Sequence, residues 1–253
     1  MNLKLRIGSL LNRLFNLLLS AKWFPLLRII PRGKFWLYDI QRFSGCKNLR
    51  VIFDVGANVG QTLNGLVKYF PNASIYCFEP VQSSFTELTK NYGAHSNVAF
   101  SRTALGKEVG TSHIDLHENS ELNTLVINQP RVNDLTGVKE SIFIDTINNF
   151  CSSQNIPSID ILKMDVQGWE MEVLKGASSL ILNENIRCIF AEVGFRKADN
   201  DMQQFSELND FLVENGFWLC GFYDCFRWGP NKEYFGFANA LYINRAIKWT
   251  NVY

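Results

Sequence analysis

The chain has 253 residues, nearly half of them hydrophobic, which is enough to bury a sizeable core in one large domain or two small ones. Lys plus Arg number 25 and Asp plus Glu 24, a formal charge of +1, and this balance excludes the basic excess of a general nucleic-acid binder. The six cysteines contain no C-x-x-C pair and no His–Cys cluster at zinc spacing, so neither a disulfide framework nor a zinc module is indicated, and free thiols in a reducing compartment fit best.

The charge is unevenly spread. Met1 to Tyr38 contains seven basic residues and no acid. Within it Leu3, Ile7, Leu10, Leu11, Leu14 and Leu18 recur at helical spacing, so residues 1–39 are expected to form a basic amphipathic helical extension. Its longest uncharged stretch, Leu14 to Ala21, is far short of the roughly 20 residues a spanning helix needs, and no signal-peptide cleavage pattern follows it. Two readings stand side by side: reversible contact of residues 1–34 with an anionic membrane, or packing on the rest of the chain or on a second subunit. The protein is then expected in the cytoplasm, held at the inner face of a membrane if the extension meets lipid.

Residues 40–253 form the expected main domain. Strand-like runs at 49–55, 74–78, 97–101, 159–164 and 186–193 alternate with helical patterns at 62–69, 83–92, 169–182 and 203–215. Two further strands, 217–220 and 237–243, close the chain. Strand–helix alternation predicts an α/β fold with a mostly parallel sheet and right-handed crossovers. Residues of about 106–148 interrupt the alternation with polar turns and two strand-like pieces. An insertion of that length is expected to serve as a lid or a wall for a second substrate.

The first strand runs into "VIFDVGANVGQT", ending on Asp54, Gly56, Asn58 and Gly60. Ligands of open α/β sheets bind beyond the carboxyl ends of the strands, and glycines there let a ligand approach the backbone. The second strand ends in "IYCFEP", which places Glu79 where the two hydroxyls of a ribose would meet two carboxylate oxygens. This suits either a nicotinamide dinucleotide or S-adenosylmethionine. The glycines are spaced G-x-x-x-G rather than G-x-G-x-x-G, and Asp54 would repel a pyrophosphate but suit an aminium group. The chain is also short for a dinucleotide domain plus a substantial second one. All three features favour S-adenosylmethionine.

"VIFDVGANVGQT", "CFEP", "TALG", "IDTINNF", "IDILKMDVQGWEMEVLKGA" and "IFAEV" follow one another as in the FkbM family of methyltransferases, which the chain resembles over about residues 48–245. The resemblance implies a Rossmann-like class I methyltransferase fold: a seven-stranded, mostly parallel sheet with an antiparallel last strand and helices on both faces. It implies S-adenosylmethionine as cofactor and methyl transfer to oxygen, typically a hydroxyl of a glycan, glycolipid or other polyhydroxylated acceptor. By the same resemblance Asp54, Gly56, Asn58 and Gly60 line the methionine side, Glu79 takes the ribose, and Thr103 and Ala104 lie beside the adenine. The family commonly carries Glu between Val166 and Gly168, where this chain has Gln167.

A sugar hydroxyl is a poor nucleophile, so a base at the strand tips is expected. Asp165 ends the fourth strand of the sheet and is the first candidate. Glu192 near the end of the fifth and His117 in the insertion are the others. Glu170, on the first turn of the next helix, is a further candidate or merely a complement to a helix N-terminus, and Lys163 is a cation able to hold a carboxylate or a satisfied structural one. Asp165 and Glu192 together have the chemistry to share a magnesium ion, but no dedicated ligand cluster accompanies them and no metal site is predicted. Two rival functions stay open: a nicotinamide-dependent oxidoreductase, and a non-catalytic cofactor-binding or scaffold protein at a membrane, the latter because of Gln167. The acceptor is expected to be a small molecule or glycan and not a nucleic acid. An oligomer is compatible with the sequence.

Overall fold

The computed structural model describes residues 31–43, 48–117, 135–196 and 202–246. Residues 1–30, on which most of the membrane expectation rests, lie outside this set. The main sheet has seven strands, in the order β3 (Val98–Ser101), β2 (Ser74–Phe78), β1 (Val51–Val55), β7 (Ile159–Met164), β8 (Ile186–Gly194), β12 (Phe237–Asn244) and β9 (Phe217–Tyr223). Every neighbouring pair is parallel except the two made by β12, which runs antiparallel to both β8 and β9. This is the class I methyltransferase topology, with the last strand inserted backwards between the fifth and the sixth.

The central strands are apolar on both faces because both faces are covered. All six residues of β7 are buried. Alternate side chains feed two cores, as the period-two geometry of a strand requires. Phe53, Val55, Leu162, Met164, Ile189 and Val193 enter one core, beneath helices α4 (Ile147–Ser153), α5 (Glu170–Lys175), α6 (Ser178–Leu182) and α7 (Phe205–Glu214). There the Phe150 ring meets Phe53, Tyr76 and Phe78 edge-on, with centroids 4.8–5.8 Å apart. Ile52, Ile161, Cys188 and Leu241 enter the other core, beneath α1 (Trp36–Arg42), α2 (Leu63–Tyr69) and α3 (Gln82–Tyr92).

Helix α1 straddles the expected boundary at residue 39. Trp36 stacks on Phe190 at 4.0 Å, Ile40 is fully buried, and the Tyr223 hydroxyl donates to Asp39 Oδ2 at 2.8 Å. Physically this helix is part of the second core. The single helix expected over 169–182 is two, α5 and α6, broken at Gly176. A Cβ there would lie 2.0 Å from the Gly106 carbonyl oxygen, so the start of the insertion presses directly on the helix break. Helix α4 was not read from the sequence. Its start is set by Thr146, whose hydroxyl accepts from the Asn149 N–H at 3.0 Å.

The insertion builds a three-stranded sheet of its own from β4 (Ala104–Leu105), β6 (Leu135–Asp145) and β5 (Gly110–His117). Strand β6 is central, parallel to β4 and antiparallel to β5. Ile114 and Ile142 pack with Ala104 on Val81, beside Trp169. The small sheet therefore sits against the carboxyl end of β2 and the turn that leads into α5. At the far side of the same edge a hairpin of β10 (Arg227–Trp228) and β11 (Tyr234–Phe235) continues from the start of β12. The Arg227 guanidinium fixes it by donating to the carbonyls of Lys232 and Glu233, both at 2.8 Å.

Candidate active site

The glycine loop is clasped onto the tip of β2. The N–H groups of Gly56 and Ala57 both donate to the Phe78 carbonyl at 3.0 Å. The next residue of each segment repeats the grip: Asn58 N–H donates to Glu79 Oε2 and Val81 N–H to Glu79 Oε1, both at 2.9 Å. Gly56, Asn58 and Gly60 all have positive φ, at 72°, 46° and 96°. Asn is the non-glycine residue that tolerates this best. Glu79 is 6% exposed, and burial pushes its carboxyl up to about 7 against the two N–H bonds. Each of its oxygens accepts one N–H and retains a second lone pair.

The glycines also answer a demand that the sequence reading did not anticipate. A Cβ on Gly56 would lie 2.0 Å from the Asp165 carbonyl oxygen, and one on Gly60 2.4 Å from the Tyr92 ring. The Tyr92 hydroxyl donates back to the Gly60 carbonyl at 3.1 Å. The atoms a side chain would strike are the protein's own, so these glycines let β7 and α3 close on the loop.

Beneath the loop lies a buried ion pair. Asp54 and Lys163 are register partners on β1 and β7, and Lys163 Nζ lies 2.8 Å from Asp54 Oδ1. The same ammonium donates to the Gly56 carbonyl at 3.0 Å and stands 3.9 Å from Asp165 Oδ2. Burial acts to lower the Lys163 pKa, but Asp54 and Asp165 together hold it above the ordinary value, so the cation is retained. Asp54 is wholly buried, and its Oδ2 has no hydrogen-bonding partner. Lys163 thus holds a carboxylate, as its spacing suggested, and ties the glycine loop to the tip of β7.

The acceptor-side candidates meet at the tips of β7 and β8. Asp165 is 43% exposed, the most open carboxylate of the group. Gln167, two residues on, has φ 53° and turns its side chain back. Its Nε2 lies 3.2 Å from Asp165 Oδ1 and 3.3 Å from Glu192 Oε2, so one amide bridges two carboxylates. Burial, reinforced by Asp165 and Glu170, pushes Glu192 up to about 8. Glu170 is fully buried and accepts from the Val166 N–H at 3.0 Å, which closes the turn into α5. Its other oxygen has no partner, and burial pushes it up to about 7.

Thr103 receives the Ser101 hydroxyl bond at 2.9 Å just past β3, and Ala104 is buried against Val81, Ile114 and Ile142. His117 ends β5 with its backbone in register with Leu135, and its side chain lies outside the described residues. The structure thus brings Asp54, Gly56, Asn58, Gly60, Glu79, Asp165 and Glu192 to one edge of the sheet. The bridging role of Gln167 was missed. Its departure from the family pattern was visible and the two strand tips were read as neighbours, but nothing in the sequence showed the positive φ at Gln167 that turns the side chain back between them. No group of three or more His, Cys, Asp or Glu is arranged to hold a metal among the described residues.

The donor set fits S-adenosylmethionine. Each Glu79 oxygen keeps a lone pair, the acceptor pattern a diol needs, and the positive-φ loop lies beside it at the end of β1. Asp54 adds an unpartnered buried oxygen beneath that loop.

The family described as the methyltransferase FkbM domain matches residues 54–219. Among curated proteins the chain is similar to Methyltransferase 1 of Beauveria bassiana, 23% identical over 156 residues, which cover 55% of this chain and 61% of that protein. It is similar to the 2-O-methyltransferase NoeI of Sinorhizobium fredii, 27% identical over 145 residues, or 52% of this chain and 58% of the other. It is also similar to the hexuronic acid methyltransferase AglP of Haloferax volcanii, 26% identical over 151 residues, or 59% of each chain. The match spans about six tenths of the length of these relatives.

Proposed function

The chain belongs to the FkbM methyltransferase family, and on that premise we propose that it transfers a methyl group from S-adenosylmethionine to a hydroxyl of a glycan, glycolipid or other polyhydroxylated acceptor. One observation carries the reading: Glu79, braced by two backbone N–H groups, shares a sheet edge with a carboxylate pair, Asp165 and Glu192, on neighbouring strands. The names of two relatives, a 2-O-methyltransferase and a hexuronic acid methyltransferase, support the choice of oxygen and of a sugar.

S-adenosylmethionine supplies a methyl group on a sulfonium, whose leaving group is already good, so positioning carries much of the rate. Glu79 would grip the ribose, with Gly56, Asn58 and Gly60 along the methionine moiety and Thr103 and Ala104 beside the adenine. Asp54 acts from below, through Lys163 and the Gly56 carbonyl, by fixing the loop. Asp165, the most exposed carboxylate, takes the acceptor proton, and Glu192 is its partner. The acceptor lies between the insertion sheet and the β10–β11 hairpin. Trp228 and Tyr234 stand half-exposed on that hairpin, with the Arg196 guanidinium 5.2 Å over the Tyr234 ring. Aromatic faces and a cation suit the C–H face and the polar substituents of a sugar.

Among the described residues no helix is long and apolar enough to cross a membrane. Reversible contact of residues 1–34 with anionic lipid at the inner face of a membrane is part of the same proposal, as is cytoplasmic residence. Self-association is compatible with it.

The test is incubation of the full chain with methyl-labelled S-adenosylmethionine and a panel of glycan and glycolipid extracts, read by mass spectrometry. A labelled methyl on an acceptor oxygen is the expected outcome. S-adenosylhomocysteine binding with no labelled product in any extract would leave the non-catalytic binder standing, and binding of a nicotinamide dinucleotide instead would overturn the cofactor.

A further inference from the structure

At the acceptor side two carboxylates from adjacent strands are brought together by one neutral side chain. A primary amide nitrogen has two N–H donors, and Gln167 Nε2 has one carboxylate oxygen within reach of each, at 3.2 Å on Asp165 and 3.3 Å on Glu192. The backbone pays a conformational cost for this arrangement, since Gln167 sits at φ 53°, a region that long side chains rarely occupy. Only that turn sends the side chain back over β7 to the tip of β8. We infer that Gln167 is a positioning residue, which clamps Asp165 and Glu192 into a pair carrying a single negative charge. The inference rests on the proposed methyl transfer, whose proton acceptor it specifies.

The charges around the pair support a single negative charge. Glu192 faces Asp165 and Lys163 from β7 and Glu170 from α5, and its cross-strand neighbour on β12 is the uncharged Asn239. Lys163 is already committed to Asp54 and the Gly56 carbonyl, and lies 3.9 Å from Asp165. Among the described residues Lys163 is the cation beside the pair, and it stands on the Asp165 side. Glu192, half-buried and facing two acids, keeps the proton, and desolvation has already raised it to about 8. The amide acts the other way: its N–H on Glu192 favours the ionised form and keeps the midpoint from rising further. A glutamate at position 167 has no N–H to offer and would add a third carboxylate to the same few ångströms.

The test is a pH titration of the full chain with carboxyl-13C-labelled Asp and Glu, followed by NMR with S-adenosylhomocysteine present. One Glu signal, assigned by its loss in Glu192→Gln, is expected to titrate near 8 in the unaltered chain. In Gln167→Glu that midpoint is expected to rise by about one unit or more, because a donor is lost and a like charge gained. Gln167→Asn tolerates the same backbone but is one methylene too short to span both groups, and a rise of about half a unit is expected. A merely structural Gln167 would change the melting temperature and leave the Glu192 midpoint where it was. A midpoint unchanged in both variants, or Asp165 and Glu192 both ionised at pH 6 in the unaltered chain, overturns the inference. If Gln167→Glu does not fold, Gln167→Asn alone decides. S-adenosylhomocysteine affinity, measured by calorimetry on the same samples, is expected to stay within about twofold, since the pair lies off the Glu79 side. Absence of binding in the unaltered chain would instead count against the methyltransferase reading.

Discussion

Glu79 and Glu192 end up in similar electrostatic circumstances by different means. Glu79 is buried and Glu192 half-buried near strand tips, and desolvation pushes one up to about 7 and the other to about 8. Glu79 is held by backbone N–H groups, one from its own turn and one from the glycine loop. Glu192 is held by the Gln167 side chain, which reaches it from the neighbouring strand. A backbone clasp is set by the fold and survives exchange of most side chains around it. A side-chain clasp depends on a single residue, and one substitution can retune it. In the proposed reading the cofactor half of the edge is thus held by the backbone, and the acceptor half by a side chain that one substitution can retune.

Gly56 is where the two halves touch, so replacing it gives the largest expected effect. Its φ of 72° and the 2.0 Å approach of the Asp165 carbonyl leave no room for a β-branched side chain. Gly56→Val is expected to push β7 away from β1 and destabilise the fold by more than about 4 kcal/mol, since neither backbone can yield cheaply. Soluble yield and thermal melting check it. A variant that folds normally but fails to bind S-adenosylhomocysteine would show that the glycine serves ligand space, as the sequence suggested, rather than strand contact.

The next effect separates the halves. Glu79→Ala removes the proposed ribose acceptor and leaves the Asn58 and Val81 N–H groups without their partner. S-adenosylhomocysteine affinity is expected to fall by about 1–3 kcal/mol in calorimetry. The Glu192 midpoint in the NMR titration is expected to stay put. An unchanged affinity would move the ribose elsewhere, and a shifted Glu192 would mean that the two halves are coupled and the comparison fails.

The fixed half was also the more legible one. The loop "DVGANVG" and the Glu at the end of the next strand are close in sequence, and their roles follow from general rules about strand tips. The seven-strand order follows from the alternation of runs together with the family resemblance. What stayed hidden depends on contacts between distant segments. The break at Gly176 is set by Gly106, some seventy residues away. Helix α1 owes its place to Phe190 and Tyr223. The insertion showed only short strand-like pieces, and β6, running from Leu135 to Asp145, is longer than its apolar stretch because β4 and β5 pair along it. Lys163 was visible as a cation able to hold a carboxylate, but that its partner is Asp54, across the strand pair, was not.

The smallest expected effect is a difference in pH slope. Glu79, Glu170 and Glu192 all sit above the ordinary carboxyl value of 4.5, at about 7, about 7 and about 8. The folded chain therefore binds more protons than the unfolded one through this window. Their contribution to stability is complete below pH 4.5 and is lost as pH rises through 7 to 8. The melting temperature of the ligand-free chain is expected to fall across that range. A diol that donates to the ionised Glu79 favours its charged form, so binding should strengthen as pH rises through about 7. The stabilisation by S-adenosylhomocysteine should then be larger at pH 8 than at pH 5, by a few degrees, given about 2–4 °C per kcal/mol in a domain of this size. In Glu79→Ala the increment should lose this dependence, and in Glu192→Gln it should keep it while the slope of the ligand-free chain flattens. Melting curves from pH 5 to pH 8, with and without S-adenosylhomocysteine, separate these outcomes. An increment equal at both ends in the unaltered chain would mean that the ligand does not bond to the ionised Glu79, and the cofactor half would lose its main anchor.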